Sequence, residues 1–266
     1  MYRLEPTRWQ KIRTGDVVNG DRGFLLGDGV FETFRIEAGS IRNSRLHAAS
    51  LAASCEALDL ECPAWDSVEQ GVADHSGPAD GVGKMIVTRG VGPRGLAPIA
   101  EQRPQIYLDL SPRPNLPRGL RLASVPIRRS PTSLTARFKT LSYADNLAAR
   151  RAAAGAGADM ALLTTTDGEV SGGDSANLFW LAGGEVFTPS ADCAIRRGIM
   201  RQRVIVWLKR QGYAVNEVRA RPERLDSAEA VWMTNAVMGA IPVTAIDSRL
   251  FDANHALLSQ LAAADL

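Results

Sequence analysis

The residue of this sequence that could most readily do covalent chemistry is Lys139. It lies at the start of residues 138–180, which read FKTLSYADNLAARRAAAGAGADMALLTTTDGEVSGGDSANLFW. The pattern predicts a strand-like run before the lysine, an alanine-rich helix after it, and two strands joined by a turn at Asp167-Gly168. A lysine at the start of such a unit can be held in a cleft, where its amine loses a proton and condenses with an aldehyde.

A second feature with chemical potential is the run Gly198-Ile199-Met200, which begins a predicted helix over residues 199–212. The first N–H groups of a helix have no acceptor within the helix, and together with the helix dipole they bind anions such as phosphate. Arg196 and Arg197 directly precede this helix. The run therefore predicts an anion site, although an ordinary helix start fits the local sequence equally well.

The elements that must position these residues fall into two domains. Three prolines within residues 111–117 make a stiff connector. We therefore predict a smaller α/β domain over residues 1–110, a linker over 111–118 and a larger α/β domain carrying the lysine over 119–266. Short β-like runs broken by glycine occupy residues 12–36. Beyond them, periodicity predicts helices at 44–60, 65–72 and 255–263, and strands at 84–88, 105–110, 120–125, 184–188, 214–218, 230–233 and 241–243.

Composition narrows the class of protein. The 266 residues are 45% hydrophobic and 23% charged, which suits two modest globular domains. A net charge of +2 gives no reason to expect nucleic acid or an acidic membrane as a partner. The sequence shows neither a signal-peptide core nor an apolar run of membrane-spanning length. Three cysteines without CxxC spacing and three scattered histidines argue against a disulfide framework and a metal site. We expect a soluble cytoplasmic protein.

Several runs, taken together in order, resemble the class IV aminotransferase family, the fold type IV group of pyridoxal-phosphate enzymes. They are residues 22–33 with Gly27-Asp28-Gly29, the text around Lys139, and the runs SANLFW at 175–180, GIMRQ at 198–202 and TNAVM at 234–238. The last three are most similar to the aminodeoxychorismate lyase branch. The resemblance implies a two-domain α+β architecture like that of D-amino acid aminotransferase, a homodimer, and pyridoxal 5'-phosphate (PLP) as the cofactor.

The resemblance also implies roles for individual residues. Lys139 falls on the catalytic lysine that carries the cofactor, and Tyr143 lies near the residue that bonds the cofactor's phenolic oxygen. The phosphate donors are implied at the helix head and at the turn over 234–239, namely at Ile199, Met200, Ala236 and Val237. Implied substrate contacts are Thr33, Asn235 and Arg94, which lies with Arg89 in a glycine-proline loop suited to clamping carboxylates. On local sequence alone, a core tyrosine fits position 143 equally well, whereas a loop arginine such as Arg94 is more often a solvated charge.

Two positions depart from the family pattern. Ser50, three residues after His47, stands where the phosphate-binding arginine would be, and Gly172 stands where a glutamate would pair with the pyridine nitrogen. Without that carboxylate the ring is a weaker electron sink, and without the arginine the phosphate is held less tightly. We hypothesise that Arg196 or Arg197 supplies the missing guanidinium. The nearest carboxylates that could replace the glutamate are Glu169 and Asp174, although strand alternation can aim either one away.

Three functions remain open. The first is an enzyme like aminodeoxychorismate lyase, which converts 4-amino-4-deoxychorismate to 4-aminobenzoate and pyruvate in folate biosynthesis. The second is a class IV aminotransferase acting on branched-chain or D-amino acids. The third is a diverged relative with weakened or lost PLP use and a different ligand or reaction, which the two departures motivate. The expected partners are a small amino or keto acid and a second copy of the chain.

Overall fold

The computed structural model describes residues 1–5, 8–13, 20–75, 79–99 and 101–266, and it divides the chain into two compact units. Unit 1 contains Met1–Pro114 together with Phe138–Ser142, and unit 2 contains Asn115–Arg137 and Tyr143–Leu266. Each unit combines helices with a β-sheet, so the predicted α+β fold class is confirmed. No helix in the described part of the chain is long and apolar enough to cross a membrane.

The described residues of unit 1 form an antiparallel sheet with the strand order β2-β1-β6-β5-β3-β4. Its elements in chain order are β1 (Tyr2–Glu5), β2 (Arg8–Lys11), α1 (Arg22–Leu26), β3 (Gly29–Glu37), β4 (Ser40–Ile41), α2 (Ser44–Ala57), α3 (Trp65–Asp74), β5 (Gly81–Thr88) and β6 (Gln105–Pro112).

The core of unit 1 lies on one face of this sheet, because β3 alternates as a half-buried strand does. Val30, Phe34 and Ile36 are at most 2% exposed, and they pack in one cluster with Leu51 and Cys55 from α2. The strand β3 is therefore fixed from below by α2 and from the side by β5. It offers a rigid edge at its first residues, where the site is built.

Unit 2 is organised on a nine-stranded sheet with the order β12-β11-β10-β13-β14-β7-β8-β9, and with β15 paired to β14. Its elements are β7 (Leu120–Arg129), α4 (Leu134–Arg137), α5 (Ala144–Gly155), β8 (Met160–Thr165), β9 (Val170–Gly173), β10 (Asn177–Ala182), β11 (Glu185–Pro189), a 3-10 turn (Ala191–Cys193), α6 (Ile199–Arg210), β12 (Val215–Val218), a 3-10 helix (Pro222–Ser227), β13 (Ala230–Asn235), β14 (Gly239–Ile246), β15 (Arg249–Leu250) and α7 (Ala256–Ala263).

The strand β10 shows how unit 2 buries its core. Leu178 and Trp180 point to one hydrophobic cluster, whereas Phe179 and Leu181 point to a second cluster that includes residues of α6 and α7. All four side chains are at most 3% exposed. A strand covered on both faces reads as a continuous apolar run, which explains the NLFW sequence. Elsewhere α5 connects the parallel neighbours β7 and β8.

The structure corrects the prediction of a strand-like run before Lys139. A single helical turn, α4, occupies Leu134–Arg137, and Lys139 itself lies in irregular backbone before one isolated β-bridge at Thr140. Pro131 and Ser133 precede this turn, and both residue types favour a helix start over a strand. The lysine is positioned by tertiary pairing rather than by its own local structure.

Two further expectations in the first hundred residues also differ. Residues 22–26 form the short helix α1 instead of a β-like run, because the Asp21 side chain accepts from the N–H groups of Gly23 and Phe24 and left-handed Gly27 ends the turn. Part of the segment 12–36, residues 14–19, lies outside the described residues.

The domain prediction needs a correction at the lysine and at the connector. The division between Pro114 and Asn115 falls inside the expected linker, but Phe138–Ser142, with Lys139, belongs to unit 1 and not to the second domain. The strand β6 also runs into the expected linker as far as Pro112, which pairs with Gly81. Proline is tolerated there because it stands at the end of a strand.

Candidate active site

The backbone of Lys139 is paired with the beginning of β3. The Phe31 N–H donates to the Lys139 carbonyl at 2.8 Å, and the Leu141 N–H donates to the Gly29 carbonyl at 2.9 Å. An antiparallel bridge joins Val30 to Thr140 between them. The segment Phe138–Ser142 therefore acts as a short extra strand, which fixes the lysine on a rigid element despite its irregular surroundings.

The glycines of the Gly27-Asp28-Gly29 run make this pairing possible. Gly27 has φ +69°, and a Cβ added to it would lie 2.6 Å from the Ser142 hydroxyl oxygen. A Cβ added to Gly29 would lie 2.8 Å from the Leu141 side chain and would overlap the Val87 carbonyl. Because no larger residue fits at either place, the glycine run and the lysine segment are two halves of one structural feature.

The amine of Lys139 lies over an aromatic ring and near a buried carboxylate. Its Nζ is 4.8 Å from the centroid of the Phe31 ring, a distance typical of a cation–π contact. The Glu32 carboxylate, whose residue is fully buried, attracts the Lys139 ammonium. The lysine predicted to do covalent chemistry is thus in a defined electrostatic environment within unit 1.

Glu32 is held by two residues of α2, and sequence reasoning missed this network. His47 Nδ1 lies 3.0 Å from Glu32 Oε1, and the Ser50 hydroxyl donates to Glu32 Oε2 at 3.0 Å. Burial raises the pKa of the Glu32 carboxyl, but attraction to Lys139 and the bonds from His47 and Ser50 outweigh it, so the pKa is lowered overall. Ser50 therefore completes a carboxylate cradle.

Replacing Glu32 with glutamine is expected to destabilise unit 1 and to alter the reactivity of Lys139. The amide keeps the shape but removes the charge that attracts the ammonium, and it leaves the buried His47 and the half-buried Ser50 with a neutral partner, at a cost of about 1–3 kcal/mol. We expect a lower Tm, and labelling of Lys139 by an acylating reagent that begins at lower pH, read by peptide mass spectrometry. Ser50→Ala, which removes one hydrogen bond and no charge, should change both less.

The same carboxylate predicts how stability depends on pH. Because the folded-state pKa of Glu32 lies below its ordinary value of 4.5, its ionised form stabilises the fold above pH 4.5, and this stabilisation is lost as pH falls through the lower folded value. Between wild type and Glu32→Gln, the difference in unfolding free energy should shrink on acidification below pH 4.5. A constant difference would contradict the proposed charge role.

The predicted substrate residues of unit 1 have different surroundings. Thr33 shares the face of β3 with Phe31, on whose ring the Lys139 amine lies. Arg94 is exposed on its loop. Arg89 is committed to structure, because it donates to the Asp28 carboxylate and to the carbonyls of Leu58 and Asp59.

The head of α6 in unit 2 has the features of an anion cradle. Asn177 packs against it so closely that its Nδ2 donates to the Arg196 carbonyl at 2.9 Å, and a Cβ at Gly198 would overlap its Oδ1. Thr234 is the cross-strand partner of Asn177. The Thr234 hydroxyl is buried and finds no hydrogen-bond partner among the described residues. It can donate to an anion at the first N–H groups of the helix, those of Ile199 and Met200.

The turn after β13 is organised by Asn235. Its side-chain oxygen accepts from the N–H groups of Val237, at 3.0 Å, and Met238, at 2.7 Å, while its amide donates to the Ser175 carbonyl. The predicted donor at Val237 is therefore already bound within the turn, and Asn235 builds the turn that presents Ala236. Asx turns of this kind are common where the chain reverses.

Tyr143 forms the N-cap residue of α5 and pairs with Arg196. The Arg196 guanidinium donates to the Tyr143 hydroxyl at 2.7 Å and lies 4.9 Å from the centroid of its ring. Arg197, the other residue proposed to replace the missing arginine, has an exposed side chain. The Arg196 side chain therefore points to Tyr143. Arg196 and Arg197 are connected to α6 through their backbone, and among the described residues neither side chain hydrogen-bonds to the start of this helix.

The surroundings of Gly172 contain a cation that sequence reasoning missed. Gly172 is buried with φ +141°, and Arg129 donates to the Ser171 hydroxyl and to the carbonyls of Gly173 and Asp174 around it. The adjacent Arg128 and Arg129 could have indicated this cation from the sequence, because successive side chains of a strand point to opposite faces and one of the two must point inward.

The two carboxylates considered as replacements for a glutamate at position 172 are engaged elsewhere. Asp174 is bound by Arg150 at 2.6 Å and by the Ala161 N–H at 2.9 Å, and Glu169 is bound by Arg219 at 2.8 Å. Each carboxylate thus already has a cation. Neither carboxylate is therefore available to pair with the pyridine nitrogen of a cofactor.

Comparisons with known proteins agree with this geometry. The family model for class IV amino-transferases matches residues 29–246. The chain is 27% identical over 235 residues to an aminodeoxychorismate lyase from Vibrio harveyi, covering 86% of this chain and 87% of the relative. It is 32% identical over 240 residues to a putative branched-chain-amino-acid aminotransferase from Methanocaldococcus jannaschii, covering 87% and 83%. The solved fold IV transaminase CpuTA1 from Curtobacterium pusillum matches with a TM-score of 0.86 and 31% identity, over 97% of this chain and 92% of that one.

The fold and the anchored lysine define a PLP-dependent enzyme of the aminotransferase or lyase type. The chain belongs to the class IV aminotransferase family, and PLP is the cofactor of this family. The recognition made from the sequence motifs is therefore confirmed, as are the enzyme class and the cofactor.

Proposed function

We propose that this protein is a PLP-dependent lyase that acts like aminodeoxychorismate lyase, with Lys139 as its catalytic residue. The observation that carries the proposal is the placement of Lys139: its backbone is paired with β3, its amine lies over Phe31, and the buried Glu32 carboxylate attracts it. The sequence runs at 175–180, 198–202 and 234–238 favour the lyase branch, as do relatives from Vibrio harveyi and Bacillus subtilis that carry this name.

The residues present fit the cofactor, with each unit considered by itself. In unit 1, Lys139 supplies an amine on a rigid element. In unit 2, the head of α6 and the unpartnered Thr234 hydroxyl supply neutral donors for a phosphate, which offset the loss of the arginine at position 50. Gly172 supplies no carboxylate for the ring nitrogen, so this part of the fit is weaker. These donors favour a PLP enzyme over a relative that has lost its cofactor.

The proposed mechanism assigns each step to a residue of this chain. When bound, PLP supplies an electron sink for a carbanion at the substrate's α-carbon. Lys139 Nζ would hold the cofactor through its aldehyde carbon, and the free amine of this lysine would take the α-proton of the substrate. The backbone N–H groups of Ile199, Met200 and Ala236 and the Thr234 hydroxyl hold the phosphate. Loss of pyruvate from the substrate leaves the aromatic ring of 4-aminobenzoate.

Other predicted residues are proposed to act at the margins of this site. Thr33 contacts the substrate from the face of β3 that carries Phe31. Asn235 positions the turn by accepting from the Val237 N–H, and Arg197 makes a second contact to the cofactor phosphate. Arg94 recognises the substrate from its exposed loop. The expected substrate is a small amino or keto acid.

We also propose that the protein is a cytoplasmic homodimer. Large apolar side chains are exposed on α1 and in the loop after β5, with Phe24 at 73% and Leu96 at 86%. Such side chains are typical of a surface that a second copy covers. Analytical ultracentrifugation tests the assembly directly; a monomer at micromolar concentration would contradict it.

A class IV aminotransferase is the second candidate. It is favoured by the 32% identity to the putative branched-chain enzyme and the 31% identity to the fold IV transaminase. In this reaction the Lys139 amine would again carry the proton that leaves the substrate α-carbon, and bound PLP would supply the group that accepts the amino group. The two candidate enzymes share their cofactor, but a lyase accumulates 4-aminobenzoate and pyruvate, whereas an aminotransferase accumulates the pyridoxamine form of the cofactor.

The deciding experiment follows the absorbance of the purified holoenzyme. With 4-amino-4-deoxychorismate, a lyase should release 4-aminobenzoate and pyruvate in equal amounts without an amino acceptor. With D-alanine or L-valine alone, an aminotransferase should convert the cofactor to its pyridoxamine form, whereas a lyase should not accumulate it. Pyridoxamine formation without 4-aminobenzoate would overturn the lyase assignment in favour of the second candidate.

A further inference from the structure

Two of the three cysteines of the chain meet in unit 1. Cys55 lies near the end of α2 and is fully buried, whereas Cys62 is exposed in the loop that follows this helix. The chain turns back between them, because the N–H groups of Leu58 and Leu60 both donate to the Cys55 carbonyl, at 3.1 and 2.9 Å. This turn brings the two thiols together, and they share a side-chain hydrogen bond. The third cysteine, Cys193, belongs to unit 2.

The two thiols differ in accessibility and in charge state. Burial raises the pKa of the Cys55 thiol, and the repulsion and hydrogen bond from Cys62 raise it further, so Cys55 is protonated at neutral pH. A reagent in solution reaches Cys62 first, because its side chain is exposed. An accessible cysteine beside a second, protected cysteine is typical of a thiol that is oxidised and then resolved as a disulfide.

We propose that Cys55 and Cys62 are a site of reversible disulfide formation, by exchange with a low-molecular-weight disulfide such as oxidised glutathione. Cys62 Sγ, as the thiolate, attacks one sulfur of that disulfide, which forms a mixed disulfide and releases one thiolate. Cys55 Sγ then gives its proton to solvent and attacks the Cys62 sulfur, which forms the bond between the two cysteines and releases a second thiolate. The cysteines lose two electrons and two protons, and the small disulfide gains them as two thiols.

Formation of this bond acts on the loop between the two cysteines. A disulfide holds its sulfur atoms about 2 Å apart, closer than two thiols in contact, so one of the two residues must move. Cys55 is fixed in the core cluster of unit 1, so the movement falls on the loop that leads to Cys62. In that loop the carbonyls of Leu58 and Asp59 accept from the Arg89 guanidinium.

Arg89 connects this loop to the lysine segment. Its guanidinium donates to both carboxylate oxygens of Asp28, at 2.9 and 3.0 Å, and its N–H donates to the Asp28 carbonyl at 3.1 Å. Asp28 lies between the two glycines that pack against Phe138–Ser142. Oxidation of the cysteine pair should therefore weaken the pairing of the lysine segment with β3.

The test exposes the purified holoenzyme to oxidised glutathione and maps its cysteines by mass spectrometry. After free thiols are blocked, a protease that cleaves after glutamate cuts at Glu56 and Glu61, between the two cysteines. Oxidised wild type should yield the two cysteine peptides joined by a disulfide, and dithiothreitol should separate them. Cys62→Ser, which changes an exposed residue, should lower modification of Cys55 at least about tenfold.

Two further variants separate the steps of the exchange. Cys55→Ser should stop the reaction at the glutathione adduct of Cys62, and Cys193→Ser should behave as wild type. A persistent adduct of Cys62 in wild type, or joined peptides that contain Cys193, would overturn the proposal. So would modification of Cys55 that survives in Cys62→Ser.

Hydrogen exchange tests the connection to the lysine segment. Peptides that carry the bonded N–H groups of Phe31 and Leu141 should exchange at least about threefold faster in oxidised than in reduced wild type. Cys62→Ser should show no such difference after the same treatment. Unchanged exchange in the oxidised protein would mean that the disulfide is confined to its loop and that the connection through Arg89 is wrong. Neither measurement depends on the reaction at Lys139.

Discussion

Lys139→Ala is expected to abolish covalent retention of PLP and to lower kcat by at least about 10³-fold, because one side chain supplies both the amine for the aldehyde and the base for the α-proton. The fold should survive, since the segment is anchored through the backbone bonds of Lys139 and Leu141 rather than through the amine. The measurement is borohydride reduction of the holoenzyme, followed by peptide mass spectrometry for a pyridoxyl-modified lysine and by steady-state kinetics.

Lys84 is a matched control for this prediction. Its Nζ lies 5.1 Å from the centroid of the same Phe31 ring, but its side chain is exposed. Lys84→Ala should keep the modified peptide at Lys139 and most of the activity. Modification found on Lys84, or retained in the Lys139→Ala protein, would move the chemistry away from the segment Phe138–Ser142 and remove the basis of the proposed mechanism.

Gly172→Ala is expected to destabilise unit 2 by about 1–3 kcal/mol. The backbone at φ +141° lies in a region that residues with a Cβ rarely adopt, and an added Cβ would lie 3.0 Å from the Ala176 carbonyl oxygen. The site is buried, so the chain cannot relax into solvent. Chemical denaturation followed by circular dichroism should show a lower midpoint with an unchanged slope.

Two glycines separate the causes of this effect. Gly184 has φ +77° with nothing near an added Cβ, so Gly184→Ala measures backbone strain alone. Gly155 lies at the end of α5 without a positive φ, and Gly155→Ala should be neutral or slightly stabilising. If Gly172→Ala were as harmless as Gly155→Ala, the backbone would not be what excludes a side chain at this position. Gly172→Glu would suffer the same backbone strain as Gly172→Ala. Restoring the family's glutamate at this position therefore requires a change in the backbone of β9 as well.

The sequence was most informative where local pattern and structure coincide. The alanine-rich segment forms α5, the 199–212 periodicity forms α6, and the alternation of residues 30–34 forms β3. The resemblance also identified which lysine to examine. In each case the signal is carried by adjacent residues whose burial repeats with the period of one element, and such patterns can be recognised without knowing the tertiary contacts.

What the sequence could not show depends on residues that are distant in the chain. Glu32 reads as one polar position in a strand, and only the packing of α2 brings His47 and Ser50 to its carboxylate. From the sequence, Ser50 is only the place where the family's arginine is missing; the structure shows that its hydroxyl donates to Glu32. Arg129 and Arg196 are 67 residues apart, and nothing in either local sequence indicates that both approach Tyr143.

The membership of Phe138–Ser142 in unit 1 has a consequence for how the protein is made. A ribosome that has released only Met1–Pro114 has not yet synthesised the strand that covers the N–H of Phe31 and the carbonyl of Gly29. About thirty more residues must therefore be synthesised before the beginning of β3 can pair with Phe138–Ser142 and unit 1 is complete. A gene fragment cut at the apparent boundary would yield a chain with an open edge, whereas a circularly rearranged gene that appends residues 138–142 could complete it.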